Sequence, residues 1–148
     1  MPANIFILAE INLSSLIFLA GIGQIALVLG SLAIPKILRW KVELNKVQPL
    51  IKQIFWTYAG YILVTNLCFG LVSVFADKAL IDKSFLATAV TGFICLYWLS
   101  RIIIQFFYFD RKSFPMGKIL LAGEIILIAL FVFLTIVYGI SFYLNLKS

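Results

Sequence analysis

The sequence predicts an all-α integral membrane protein, a four-transmembrane-helix bundle with a short amphipathic interfacial helix between the first and second spans. Three observations predict it. Of 148 residues, 64% are hydrophobic and 12% charged, with a mean hydropathy of +1.12, whereas a soluble domain is about half apolar and about a quarter charged. The charges are gathered into short connections, so that residues 11–35 and 53–76 contain none, residues 84–109 contain Arg101 alone and residues 119–146 contain Glu124 alone. These runs do not alternate in polarity, as strands of a transmembrane barrel would. Crossing a hydrocarbon core of about 30 Å takes roughly 20 apolar residues in a helix, and each run is long enough. One membrane domain over residues 1–148 is therefore expected, with spans at about 11–34, 54–76, 85–109 and 118–144.

The first span follows a start that lacks the basic run of a secretory leader and carries Glu10 instead, so it is expected to be retained. It offers a stripe of small residues, Gly23, Ala26, Gly30 and Ala33, for close helix packing, which in lipid replaces the hydrophobic drive between helices. Gln24 stands near its middle.

The connection after it carries Lys36, Arg39, Lys41, Lys46 and Lys52. Ile37, Trp40, Leu44, Val47 and Ile51 recur at helical spacing on one stripe, with most of the charges off it. The pattern predicts a basic amphipathic helix over about 36–48, opened by Pro35, ended by Pro49 and drawn to anionic headgroups.

The second span brings Ala59, Asn66, Gly70 and Ser73 onto one stripe and places Trp56, Thr57, Tyr58 and Tyr61 near its first end. The following connection balances Lys78 and Lys83 with Asp77 and Asp82. In the third span Thr88, Gly92 and Cys95 form a small-residue face, and Tyr97, Arg101, Gln105 and Tyr108 share another. The fourth carries Ala122, Ala129 and Glu124.

Lys and Arg of short loops mark the cytoplasmic side. Loops one and three with Arg101 hold Lys36, Arg39, Lys41, Lys46, Lys52, Arg101, Arg111, Lys112 and Lys118, nine of the twelve basic residues. The expected home is a cytoplasmic-type (inner) membrane, both termini outside and loops one and three cytoplasmic. The net charge of +6 fits anionic lipid rather than nucleic acid, because the basic residues are juxtamembrane.

Arg101 and Glu124 are the strongest site candidates. Each lies about eight residues, roughly 12 Å, inside its span from the short connection. They are expected at one depth on antiparallel neighbours, where pairing offsets the several kcal/mol of an isolated charge in lipid. Around them Trp56, Tyr58, Tyr61, Tyr97, Gln105 and Tyr108 suggest either an interfacial aromatic belt or an inner-leaflet cleft for an amphipathic ligand. All three tryptophans, Trp40, Trp56 and Trp98, are assigned to that side. Gln24 and Asn66 are the mid-membrane polar residues, expected to bond across helices.

The chain has no histidine, and its two cysteines, Cys68 and Cys95, lie within spans and read as small packing residues. No metal, cofactor or catalytic residue is expected, since no carboxylates are spaced as an acid–base pair and no nucleophile has a histidine beside it. The residues leave three classes of function. A non-catalytic accessory subunit or lipid-interacting protein, bound to other subunits, to itself or to anionic lipid, needs the least. A small oligomeric transporter or channel would use the Arg101/Glu124 region. An integral enzyme acting on a lipid would have to draw on Glu124, Asp110, Tyr58 and Tyr108, with Arg101, Arg111 and Lys112 for a phosphate.

Overall fold

The computed structural model describes the backbone of residues 2–109 and 117–147, with side chains from residue 12 onward. Among the described residues its regular structure is all helix, with four long helices: α1 (Pro2–Ser31), α4 (Pro49–Phe75), α5 (Phe85–Phe107) and α6 (Lys118–Leu146). Two single-turn helices, α2 (Ile34–Ile37) and α3 (Trp40–Glu43), lie between α1 and α4. At 1.5 Å per residue the long helices measure about 45, 40, 35 and 44 Å, more than a bilayer core in each case. Each has a window apolar enough to cross a membrane. Their exteriors agree, with large apolar side chains such as Phe75, Phe85, Phe107 and Ile119 left more than 80% exposed, a surface that matches hydrocarbon.

Local chemistry explains the boundaries. The residue before a proline favours extended backbone, and Gln48 (φ −58°, ψ 146°) hands over to Pro49 at the first turn of α4, where its missing N–H costs nothing. Pro49 thus starts a helix rather than breaking one. Ser84 caps α5 by accepting a hydrogen bond from the Ala87 N–H at 3.0 Å, while Asp82 accepts from the Ser84 N–H at 2.9 Å.

The expected interfacial helix over 36–48 is not continuous. Arg39 sits in the left-handed region (φ 50°, ψ 41°) and separates α2 from α3, and a 3₁₀ turn at Leu44–Lys46 follows. The segment still alternates exposed Ile37, Val42 and Val47 with exposed Lys36, Arg39, Lys41 and Lys46. Trp40 pins it to the start of α4, its ring 4.8 Å from Phe55 and 5.7 Å from Trp56 by centroid.

The helices pack as two hairpin-like pairs, α1 with α4 and α5 with α6, joined through α1 and α6. The first pair meets at glycine. A Cβ on Gly70 would lie 2.8 Å from Ile25 Cγ1 and 3.2 Å from the Gly21 carbonyl, and one on Gly21 would lie 2.9 Å from the Gly70 carbonyl. The buried face of α4 is Asn66, Gly70 and Ser73, three of the four residues of the stripe expected from the sequence, with Ala59 half-buried. The face of α1 is different: Ala26, Gly30 and Ala33 are exposed, Gly23 faces Leu130 of α6, and Gly21 with Ile25 makes the contacts with α4. Gly92 accommodates the Phe142 ring between α5 and α6.

The apolar core gathers Leu13, Ile17 and Ala20 of α1, Ile94 and Trp98 of α5, and Phe131, Leu134, Val137 and Tyr138 of α6, closed at one end by Leu80. Between α4 and α5 the backbones stay apart, and contact passes through Phe69, whose ring meets Phe93 at 5.9 Å and Tyr97 at 5.2 Å. The basic residues Arg111 and Lys112, together with Asp110, lie outside the described residues.

Candidate functional site: a polar lock and a lipid-facing seam

Four fully buried polar side chains, one from each long helix, meet at the centre of the bundle. Gln24 of α1 donates from Nε2 to the Tyr138 hydroxyl of α6 at 2.6 Å and to its own Ala20 carbonyl at 3.3 Å. Its Oε1 accepts from Trp98 Nε1 of α5 at 3.2 Å. The Tyr138 hydroxyl also shares a short hydrogen bond with Ser73 of α4, and Ser73 donates to the Phe69 carbonyl at 2.8 Å. An unsatisfied polar group in hydrocarbon costs several kcal/mol, and here the amide, phenol, indole and hydroxyl satisfy one another.

A second set of bonds ties down the end away from the basic loops. Asn145 of α6 donates to the Leu80 carbonyl at 2.8 Å and accepts from the Lys83 N–H at 3.2 Å. Ser14 of α1 donates to Asp77. The connection between α4 and α5 is thereby folded onto α1 and α6. Asp82 is exposed there, and its hydrogen bonds from the Ser84 hydroxyl and N–H hold its carboxyl below the usual carboxylate range.

Arg101 and Glu124 are not joined in a salt bridge of 4 Å or less; among the described residues the ion pair formed is Lys46–Glu43, 2.7 Å apart on the surface. Glu124 instead accepts from Gln105 Nε2 at 3.2 Å. Arg101 follows the lean of helical side chains toward the helix N-terminus, which carries its guanidinium back over the ring of Tyr97, 6.0 Å from the centroid. On α5 that direction leads deeper into the bundle, away from the nearer helix end.

The aromatic set does not form one cavity. Tyr58 and Tyr61 are exposed and line a shallow groove of about 280 Å³ with Gln53, Ile54 and Thr57. Trp56 belongs to the Trp40 cluster, and Tyr108 is exposed beside Phe109. Trp98, read from sequence as part of an aromatic belt, is fully buried, with Phe131 stacked on it at 5.3 Å. Its indole N–H needs a partner when buried, and Gln24 supplies it.

Tyr97, Arg101 and Asn66 come together at the seam between α4 and α5. The Asn66 amide and the Arg101 guanidinium both flank the Tyr97 hydroxyl. Yet Asn66 Oδ1, Tyr97 Oη and Arg101 Nε are buried with no hydrogen bond of good geometry. Phe69, in ring contact with Tyr97, continues from this trio into an open groove of about 360 Å³ lined by Cys68, Phe69, Val72, Ala89, Val90, Phe93 and Ile94. Both cysteines are free, Cys68 at the groove and Cys95 with its thiol donating to the Thr135 carbonyl at 3.5 Å. Among the described residues no three His, Cys, Asp or Glu side chains cluster as metal ligands.

Sequence reasoning found Gln24 and Asn66 because amides stand out in apolar runs. It missed Tyr138 and misplaced Trp98, whose polar atoms are hidden on mainly apolar rings. Compared with known proteins, the chain matches no family model, no curated protein and no solved structure.

Proposed function

We propose that this multi-pass membrane protein is a non-catalytic scaffold, an accessory subunit of a membrane assembly that also engages anionic lipid at its basic end. The observation that carries the reading is the lock. The polar side chains at the bundle centre, Gln24, Ser73, Trp98 and Tyr138, are committed to one another at zero exposure. A transport path needs polar groups that face a solute, and a catalytic site needs polar groups that face a substrate. These face neither. What they provide is a fixed helix arrangement, the property a scaffold requires.

The basic end supports the lipid part. The turns between α1 and α4 display Lys36, Arg39, Lys41 and Lys46 beside exposed Ile37, Val42 and Val47, anchored through Trp40. Such a segment lies in the headgroup layer, each cation gaining about 1 kcal/mol from an anionic leaflet. With that charge distribution the membrane is a cytoplasmic-type one, both termini are outside, and loops one and three are cytoplasmic.

Purified protein in liposomes tests the reading. Proton and potassium flux is expected to equal that of protein-free vesicles. Flux that Glu124→Gln abolishes would overturn it in favour of a small oligomeric channel built on the Gln105–Glu124 region. Single cysteines at Asn45 and Ser84 test orientation, and labelling of Ser84 but not Asn45 from the cytoplasmic side would reverse it.

A further inference from the structure

The seam between α4 and α5 holds three buried polar atoms, Asn66 Oδ1, Tyr97 Oη and Arg101 Nε, that make no hydrogen bond of good geometry. Asn66 is 5% exposed, deep enough that its unbonded Oδ1 is costly. Arg101 places a full positive charge beside it, with no carboxylate within 4 Å among the described residues and its Nε unbonded. The trio adjoins an apolar groove through the Phe69–Tyr97 ring contact, and the groove opens sideways between two helices whose backbones stay apart. From Tyr97 to Ala89 along α5 is eight residues, about 12 Å, so the groove runs on from the polar head along the helix. Water alone would leave the cation without a counter-charge. A hydrocarbon tail with an acceptor-rich anionic end answers both halves of the seam.

We infer that the α4–α5 seam binds a single-chain anionic amphiphile, with its carboxylate between Arg101, Tyr97 and Asn66 and its hydrocarbon tail in the groove along Phe69, Val72 and Ala89. Arg101 Nε–H and the Tyr97 hydroxyl donate to the two carboxylate oxygens. Asn66, turned about its terminal bond, presents Nδ2 as a third donor. Phe69 sits where head meets tail and forms the wall of both. The site stands independently of the scaffold reading, which turns on the central lock and the basic end.

The test uses the full chain in nanodiscs of zwitterionic lipid, with radiolabelled palmitate as probe and hexadecanol as a neutral chain of equal length. Wild type is expected to bind palmitate saturably, one per chain, and hexadecanol at least tenfold more weakly. Arg101→Gln should weaken palmitate at least tenfold and hexadecanol little. Because loss of Arg101 could also disturb folding, Ala89→Trp provides a second variant. Ala89 is exposed on the groove wall, so an indole there fills the groove without touching the lock, and palmitate binding should fall at least tenfold with the melting temperature unchanged. Uptake that never saturates, equal affinity for the acid and the alcohol, or wild-type binding by Ala89→Trp would each overturn the proposal.

Discussion

Replacing Gln24 by leucine should unlock the bundle, and the structure allows the size of the effect to be worked out. The Gln24 side chain is fully buried, and its bonds to Tyr138 at 2.6 Å and Trp98 at 3.2 Å both cross between helices. Interhelical hydrogen bonds in membranes contribute on average about 0.6 and at most about 1.7 kcal/mol each. The Tyr138 hydroxyl keeps Ser73 when Gln24 is lost, but the Trp98 N–H is left unpaired in the core, at about 1–3 kcal/mol. Gln24→Leu should therefore cost about 2–3 kcal/mol. Tyr138→Phe removes one oxygen at nearly constant shape, leaves Ser73 its bond to the Phe69 carbonyl, and should cost about 1 kcal/mol. Unfolding titrated with SDS in mixed micelles and followed by tryptophan fluorescence measures both. The decisive quantity is the double-mutant cycle, where residues sharing a network should couple by about 0.5–1.5 kcal/mol. Strict additivity of the two substitutions, or a Gln24→Leu variant as stable as wild type, would refute the lock.

Gly70→Leu should lower stability by at least about 1–3 kcal/mol in the same titration, the usual cost of overpacking, because even a Cβ at Gly70 meets Ile25 and the Gly21 carbonyl; Gly60→Leu, with open space around it, is the silent control. Asn145→Ala should release the 76–84 connection, raising its rate of limited proteolysis several-fold, since both the Leu80 and Lys83 backbone bonds end on that one amide; an unchanged rate would contradict this. Asp82 has its folded-state pKa depressed by the Ser84 hydroxyl and then the Ser84 N–H. Its contribution is therefore present above the unfolded carboxylate pKa and is lost as pH falls through the lower folded value. Amide exchange at Ser84 and Ala87 should accelerate in that acid window in wild type and show no such step in Asp82→Asn.

The four long helices were legible because a charge inside lipid is expensive, so charge-free runs mark spans almost by themselves. Their ends were less so: Pro49 and Pro35 read equally well as helix breakers and helix starters until the backbone before them is known. The broken interfacial segment shows the limit of periodicity. Ile37, Trp40, Leu44 and Val47 keep helical spacing, yet Arg39 turns left-handed between the first two, and spacing alone carries no sign of that. Small-residue stripes were half legible. Asn66, Gly70 and Ser73 form the buried face of α4, but α1 offers Gly23 and Gly30 on one face and Gly21 on another, and the α4 backbone selects Gly21.

Arg101 and Glu124 were placed at one depth by counting along the helices, but depth does not set direction. The guanidinium leans along α5 to Tyr97 while Gln105, nearer the helix end, reaches Glu124. Tyr97 was identified on the Arg101 face, and Asn66 was identified separately as a mid-membrane polar residue. Their meeting across the seam is a tertiary fact, as is the partnership of Gln24 with Tyr138 and Trp98. Aromatic residues with one polar atom are the blind spot, because in an apolar run they read as bulk.

The scaffold claim is tested most directly by native mass spectrometry of the protein extracted gently from its own membrane. A reproducible complex is expected, in which this chain is present at fixed stoichiometry with a second membrane protein and retains anionic phospholipid. A bare monomer or a self-contained homo-oligomer, found in every mild detergent and paired with ion flux in liposomes, would contradict it.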